Sequence, residues 1–174
     1  MLWVKTFFGI LFQTILLGIF LYLPALTLNW SDAFLLLTIH FLMTILASAY
    51  LLIVKPESIE ARMNYDSKTQ PKEDRLATAL MFSAIIVGLS LAPIDIFHLN
   101  LSSSFEGSIK NIGLAIYIIG MLLFLASINA NEFAETTVNI QEERGQKVID
   151  TGIYSMVRHP MYTGFIFFIT GVNV

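Results

Sequence analysis

An all-α, polytopic transmembrane protein is predicted by three features of this sequence: its composition, the length of its apolar runs and the alternation of positive charge between them. Of 174 residues, 56% are hydrophobic and only 13% are charged, with a mean hydropathy of +0.72. A soluble domain carries about 25% charged residues, so the chain belongs in a membrane. A spanning helix needs about 20 mainly apolar residues. Four runs satisfy this, at 6–28, 33–54, 76–97 and 112–130. The first has no small-residue cleavage site and is too long for a signal-peptide core, so it is read as a retained helix.

A fifth run, 161–174, is incomplete. It would extend about 21 Å at 1.5 Å per residue, against a hydrocarbon core of about 30 Å. The expected organisation is a single membrane domain over 1–174, with four full spans and an incomplete fifth. A helix ending inside the bilayer leaves carbonyls and a carboxylate in apolar surroundings, so the chain reads as a fragment.

The connecting segments predict the topology. Lys5 precedes the first run, and the Asn29-Trp30-Ser31-Asp32 turn has no Lys or Arg. The second connection carries Lys55, Arg62, Lys68, Lys72 and Arg75, the third only Lys110, and the last Arg144, Lys147 and Arg158. By the positive-inside rule the N-terminus, the second connection and the segment 131–160 face the cytoplasm. Trp3 and Trp30 then fall near opposite interfaces, as an aromatic belt requires. The net charge of −3 says little about partners, because the bilayer separates the charges into layers. No basic stripe suits nucleic acid. The absence of cysteine excludes disulfides, thiol catalysis and cysteine-ligated metal, and no metal-ligand set is read.

Polar residues within the runs have modest expected roles. His40 is predicted to be a neutral imidazole bonded to a neighbouring helix, and Gln13 a second interhelical contact. Asp95 and His98 fall at the outer interface, solvated or paired with each other. The charged stretch 57–75 reads as a solvated loop. Glu132, Glu135, Glu142 and Glu143 read as loop carboxylates without chemistry.

Between 131 and 160 the pattern changes. Two short extended runs, 137–141 and 146–149, flank Glu142-Glu143-Arg144-Gly145, which predicts a small cytoplasmic hairpin before the fifth helix. Thr151-Gly152 makes a turn leading through Tyr154 into Arg158-His159-Pro160-Met161-Tyr162. Pro160 suits the first position of a helix, where its fixed φ and missing N–H cost nothing. The free amides of that turn, with the helix dipole behind them, make an anion site. Arg158 and His159 add a cation and a switchable donor. Such an element can hold the carboxylate or phosphate of a small ligand beside a lipid-soluble substrate.

These strings together carry a resemblance. Asn131-Glu132-Phe133, then Thr137-Val138-Asn139-Ile140-Gln141-Glu142-Glu143-Arg144-Gly145, then Thr151-Gly152-Ile153-Tyr154 and Arg158-His159-Pro160-Met161-Tyr162-Thr163-Gly164 resemble the isoprenylcysteine carboxyl methyltransferase family, in its prokaryotic form. Pro56-Glu57-Ser58-Ile59-Glu60-Ala61-Arg62 and Asp95 are similar to that subgroup too. The resemblance implies an integral protein of the cell inner membrane that transfers a methyl group from S-adenosyl-L-methionine to a lipophilic or lipidated acceptor entering from membrane lipid. A carboxylate is the name-giving acceptor, though a prokaryotic acceptor need not be a prenylcysteine. Carried over by motif, His159 would meet the cofactor carboxylate, beside Pro160 and Met161, with Tyr154 and Tyr162 lining the pocket. Gln141, Gln146, Lys147, Val148 and Ile149 would contact the adenosine moiety.

No catalytic residue is assigned. The resemblance places a paired-glutamate motif and an arginine downstream of Val174, so half of the expected site is missing and the chain alone is expected to be inactive. A second reading, from another class, is a non-catalytic membrane scaffold that keeps the fold and binds lipid or a partner.

Overall fold

A computed structural model describes residues 1–63, 72–101, 107–131 and 149–173, and every regular element among them is helical. The order is α1 (Leu2–Ala25), α2 (Ser31–Val54), a short α3 (Pro56–Met63), α4 (Lys72–Ile94) running into a π turn (Asp95–Leu99), α5 (Ser108–Ala130), a 3₁₀ turn (Gly152–Ser155) and α6 (Pro160–Val172). Four of these are long and apolar enough to cross a membrane: Leu2–Ala25, Ser31–Val54, Thr78–Leu99 and Ser108–Ala130. Phe8, Phe12, Leu46 and Leu80 are among many large apolar side chains left exposed. In a soluble protein such continuous patches would drive association. Around four spans of membrane length they are the lipid-facing surface. The protein is an all-α, polytopic integral membrane protein.

Element boundaries depart from the sequence expectation where local chemistry intervenes. α1 covers 2–25 rather than 6–28. Leu26 adopts a left-handed conformation (φ 55°) and its N–H turns back to the carbonyls of Tyr22 and Leu23, which closes the helix. Lys5 therefore lies inside α1 instead of preceding it. The stretch expected as a solvated loop begins with α3. Lys55 leaves the helical region before Pro56 (φ −144°, ψ 61°), as proline disfavours the α conformation in the residue before it, and Pro56 then opens the new helix. Ser58 and Ile59 of α3 are buried, Ile59 against Leu51 and Leu52. The predicted hairpin at 137–149 lies almost wholly outside the described residues. Of the two expected polar contacts within helices, that of His40 is present: its Nδ1 meets the Tyr117 hydroxyl at 2.6 Å in a buried setting. Gln13 is exposed instead, with no partner among the described residues. Asp95 accepts from the Leu101 amide and His98 donates to the Pro24 carbonyl, so each engages backbone.

The tightest packing joins α5 to α6, which run antiparallel. Gly113 and Gly120 lie seven residues apart on α5, as do Gly164 and Gly171 on α6. That spacing, near two helical turns, puts each pair on one face. A Cβ added at Gly171 would stand 2.5 Å from the Tyr117 amide nitrogen, and one at Gly120 2.8 Å from that of Phe168. The backbones are therefore in contact, which small residues permit where no water-driven hydrophobic effect operates between helices. Aromatic rings flank the seam. Phe124 and Phe165 meet edge to face at 4.7 Å, and Tyr117 and Phe168 lie 5.1 Å apart. At the far end of α6, Asn173 bridges Gly88 O and Ala92 N, the two groups that an i→i+4 bond would join in α4.

Two stability predictions result. Gly171→Ala should cost about 1–3 kcal/mol through overpacking, whereas Gly9→Ala, with nothing within 4 Å of the new carbon, should be neutral or slightly stabilising. Tyr117→Phe strands His40 and should cost about 0.6–1.7 kcal/mol. Reversible unfolding in mixed detergent micelles measures both. Equal stability of the two alanine variants would rule out backbone contact between α5 and α6.

Candidate functional site

The helix seam places the start of α6 beside the last part of α5. Gly164 packs against Gly120 and Leu123, and Phe165 against Phe124, so Pro160 falls one turn further along α5, toward Ala130. Pro160 is buried to under 2% exposure at N1 of α6, as its sequence position predicts. His159 is the N-cap residue (φ −130°, ψ 65°). Its carbonyl accepts from the Thr163 amide at 3.1 Å and from the Thr163 hydroxyl at 3.2 Å. Its imidazole makes no cap bond and stays exposed. The amides of Met161 and Tyr162 precede that first i→i−4 bond, so the helix itself offers them no acceptor. Both donors, with the positive end of the dipole, face the entry of the helix.

The preceding residues form a compact support. Gly152 adopts φ 61°, open to glycine without strain. A Cβ there would stand 3.3 Å from the Cβ of Ala130, so the turn sits directly on the end of α5. The turn then winds as a 3₁₀ helix, with Tyr154 N bonded to Thr151 O and Met156 N to Ile153 O, and Val157 N closes it on the same Ile153 carbonyl. Ser155 Oγ donates back to Gly152 O at 2.7 Å. This leaves Arg158 and His159 exposed at the helix entrance.

Of the residues expected to form a site, the structure brings one group together. His159 and Tyr162 lie with ring centroids 5.7 Å apart and planes inclined by 38°. With Arg158 and the amides of Met161 and Tyr162 they fall within five consecutive residues at the N-terminus of α6. Tyr162 is 52% exposed, leaving its face available. Tyr154 points elsewhere: its hydroxyl lies 3.5 Å from Asn131 Nδ2, and no hydrogen bond or ring contact joins it to Tyr162 among the described residues. Ile149 is half-buried just before the turn. Gln141, Gln146, Lys147 and Val148 lie outside the described residues.

A cavity of about 520 Å³ opens at the opposite end of the bundle, lined by Trp30, Asp32, Lys110, Asn111 and the last residues of α6. It shares no residue with the Arg158–Tyr162 element, whose shape is an open ledge. The donor chemistry is on the ledge, and the cavity is not part of it. Reading the sequence alone overlooked Lys55 and Asn129. Lys55 Nζ donates to the Asn129 carbonyl in the last turn of α5. The signal available was a lysine directly before a proline that starts a helix.

What the arrangement can do chemically is bind a small anion at a membrane boundary. Two amides without an intrahelical acceptor open α6, and the exposed Arg158 and His159 directly precede them in the chain, with the Tyr162 ring beside His159. A carboxylate matches that donor set, because hydrogen bonds to a charged acceptor are about twice as strong as neutral ones.

Comparison with known proteins bears on the same region. The phospholipid methyltransferase family model matches residues 109–174, which take in α5, the 3₁₀ turn and α6. Protein-S-isoprenylcysteine O-methyltransferase B of Arabidopsis thaliana is 34% identical over 67 residues, 38% of this chain. The chain spans about a third (34%) of that relative's length. No solved structure matches the chain. Through the helix pair that carries the Arg-His-Pro entrance, the chain is similar to membrane methyltransferases of the phospholipid and isoprenylcysteine types.

Proposed function

We propose that this chain forms the donor side of a membrane methyltransferase that moves a methyl group from S-adenosyl-L-methionine to a lipophilic acceptor. One observation carries the reading. A Pro160-led helix N-terminus, with open amides at Met161 and Tyr162 and with Arg158 and His159 beside it, lies inside the segment that matches methyltransferases. The residues fit two of the cofactor's charged groups, the carboxylate and the sulfonium. The amides of Met161 and Tyr162, His159 and Arg158 would hold the carboxylate. The exposed face of Tyr162 would suit a sulfonium through cation–π attraction. The cofactor supplies a methyl group on a positively charged sulfur.

This chain's residues bind and orient; they do not need to remove a proton. A carboxylate acceptor is already ionised near neutral pH, so it could take the methyl group as it stands, the new oxygen–carbon bond forming as the sulfur–carbon bond breaks and a neutral thioether leaves. The requirement is alignment within about 3–3.5 Å, and the exclusion of water that weakens the nucleophile. The acceptor reaches the ledge from the bilayer, because the site stands at the end of membrane-spanning helices. Lipidated or otherwise lipophilic carboxylates are the proposed substrate class.

The ledge faces the cytoplasm in this reading. Lys55, Arg62 and Arg158 gather at its end of the bundle. The other end carries Lys110, which pairs with Asp32 at 2.7 Å; this Lys/Arg asymmetry is what the positive-inside rule reads. The native chain has no cysteine, so single replacements report cleanly. Asn29→Cys and Ser155→Cys, both exposed and separated by three spans, should label from opposite sides. An impermeant thiol reagent on intact cells should reach Asn29→Cys alone. Labelling of both positions from one side would put the ledge on the wrong face.

The donor assignment is tested in the intact protein by calorimetry with S-adenosyl-L-methionine. His159→Ala should weaken binding by roughly tenfold to over a hundredfold, the cost of one hydrogen bond to a charged group being about 1.5–3 kcal/mol. His159→Gln should recover part of the loss by restoring a neutral donor. His40→Ala, buried in the bundle, should leave affinity alone. Unchanged affinity in a folded His159→Ala protein would remove the histidine from the site.

A further inference from the structure

The last turn of α5 is held from two sides by different parts of the chain. On one side stands the corner between α2 and α3. Leu125 and Ile128 pack against Leu51, Leu52 and Ile59, the Tyr50 hydroxyl reaches Asn129 Oδ1 at 3.4 Å, and Lys55 Nζ donates to the Asn129 carbonyl. On the other side stands the turn that leads into the donor ledge. Gly152 sits on Ala130, and Tyr154 meets Asn131. Three consecutive residues, Asn129, Ala130 and Asn131, therefore connect the α2–α3 corner to the 3₁₀ turn.

We propose that Lys55 is a positioning residue for the donor site, acting through this last turn of α5; the inference rests on the function proposed above. Lys55 ends α2, where the break before Pro56 turns its side chain toward α5. Carbonyls in the last turn of a helix have no intrahelical donor, and the negative end of the helix dipole collects there. A cation on the Asn129 carbonyl satisfies both and keeps the turn from fraying. The ledge depends on that turn because Gly152 and Tyr154 have their contacts on its next two residues. Lys55 touches neither cofactor nor acceptor in this account.

The test uses Lys55→Met in the intact protein, which keeps most of the aliphatic stem and removes the charge. Amide hydrogen exchange should accelerate about tenfold at Tyr154, Met156 and Val157, whose N–H groups hold the 3₁₀ turn. Exchange at Phe167 and Phe168 in the glycine seam should be unchanged. Affinity for S-adenosyl-L-methionine should fall about threefold to tenfold, with the KM for the acceptor unaltered, and Lys55→Arg should restore both properties. Unaltered exchange at those three amides overturns the inference. So does acceleration shared equally by α2, α5 and α6, which would mark a merely structural lysine. His159→Ala measured alongside separates the two levels. A wild-type protein that fails to bind S-adenosyl-L-methionine overturns the proposed function, and the donor-site role of Lys55 with it. A wild type that binds, loses binding in His159→Ala and is untouched by Lys55→Met overturns this inference alone.

Discussion

Backbone contact between α5 and α6 is the constraint on which the rest of the structure depends. Gly120 and Gly171 each leave less than 3 Å between a would-be Cβ and main-chain atoms of the opposite helix. No side chain of any kind fits there. Because α6 is only 13 residues long, this seam fixes nearly its whole length. Its N-terminus is therefore set in height and rotation by glycine positions several turns away. The amides after Pro160 therefore have a defined direction instead of belonging to a frayed helix end.

The bundle around that pair has little core in the ordinary sense. Few side chains are fully buried, and most large apolar ones face outward. In lipid this costs nothing, since the acyl chains are as apolar as leucine. Order comes instead from close backbone approach, from the buried His40–Tyr117 hydrogen bond and from capping at helix ends. Asn173 on α4 and Lys55 on α5 are two versions of the last device: a polar group satisfies main-chain atoms of a neighbour where no water is at hand. The proposed donor site occupies the place where this economy leaves amides without an intrahelical acceptor, at the Pro160 end.

Much of this was legible in the sequence because membrane helices obey length and apolarity rules that operate residue by residue. The four spans, Pro160 at the first position of a helix and the bonded state of His40 all follow from such rules. α3 was not legible, since Glu57, Glu60 and Arg62 suggest solvent while only Ile59 and the preceding proline suggest a docked helix. The end of α1 moved because of a left-handed Leu26, a conformation that a leucine does not advertise. The seven-residue glycine spacings on α5 and α6 are plain in the sequence, but they acquire meaning only when the two helices are seen to face each other. Lys55 read as one more loop cation because its partner is a backbone carbonyl 74 positions away, and no local pattern encodes that. At the site, motif spacing identified the helix entrance, whereas the direction of Tyr154 toward Asn131 depended on tertiary packing.

The central claim is that the amides opening α6 hold the cofactor's carboxylate. Nuclear magnetic resonance of the selectively ¹⁵N-labelled intact protein in detergent tests it most directly, by titration with S-adenosylhomocysteine, the demethylated product. The account predicts saturable shifts at the amides of Met161 and Tyr162, with Leu89 and Phe168 unmoved. Saturable binding that leaves Met161 and Tyr162 in place while shifting amides elsewhere would contradict it.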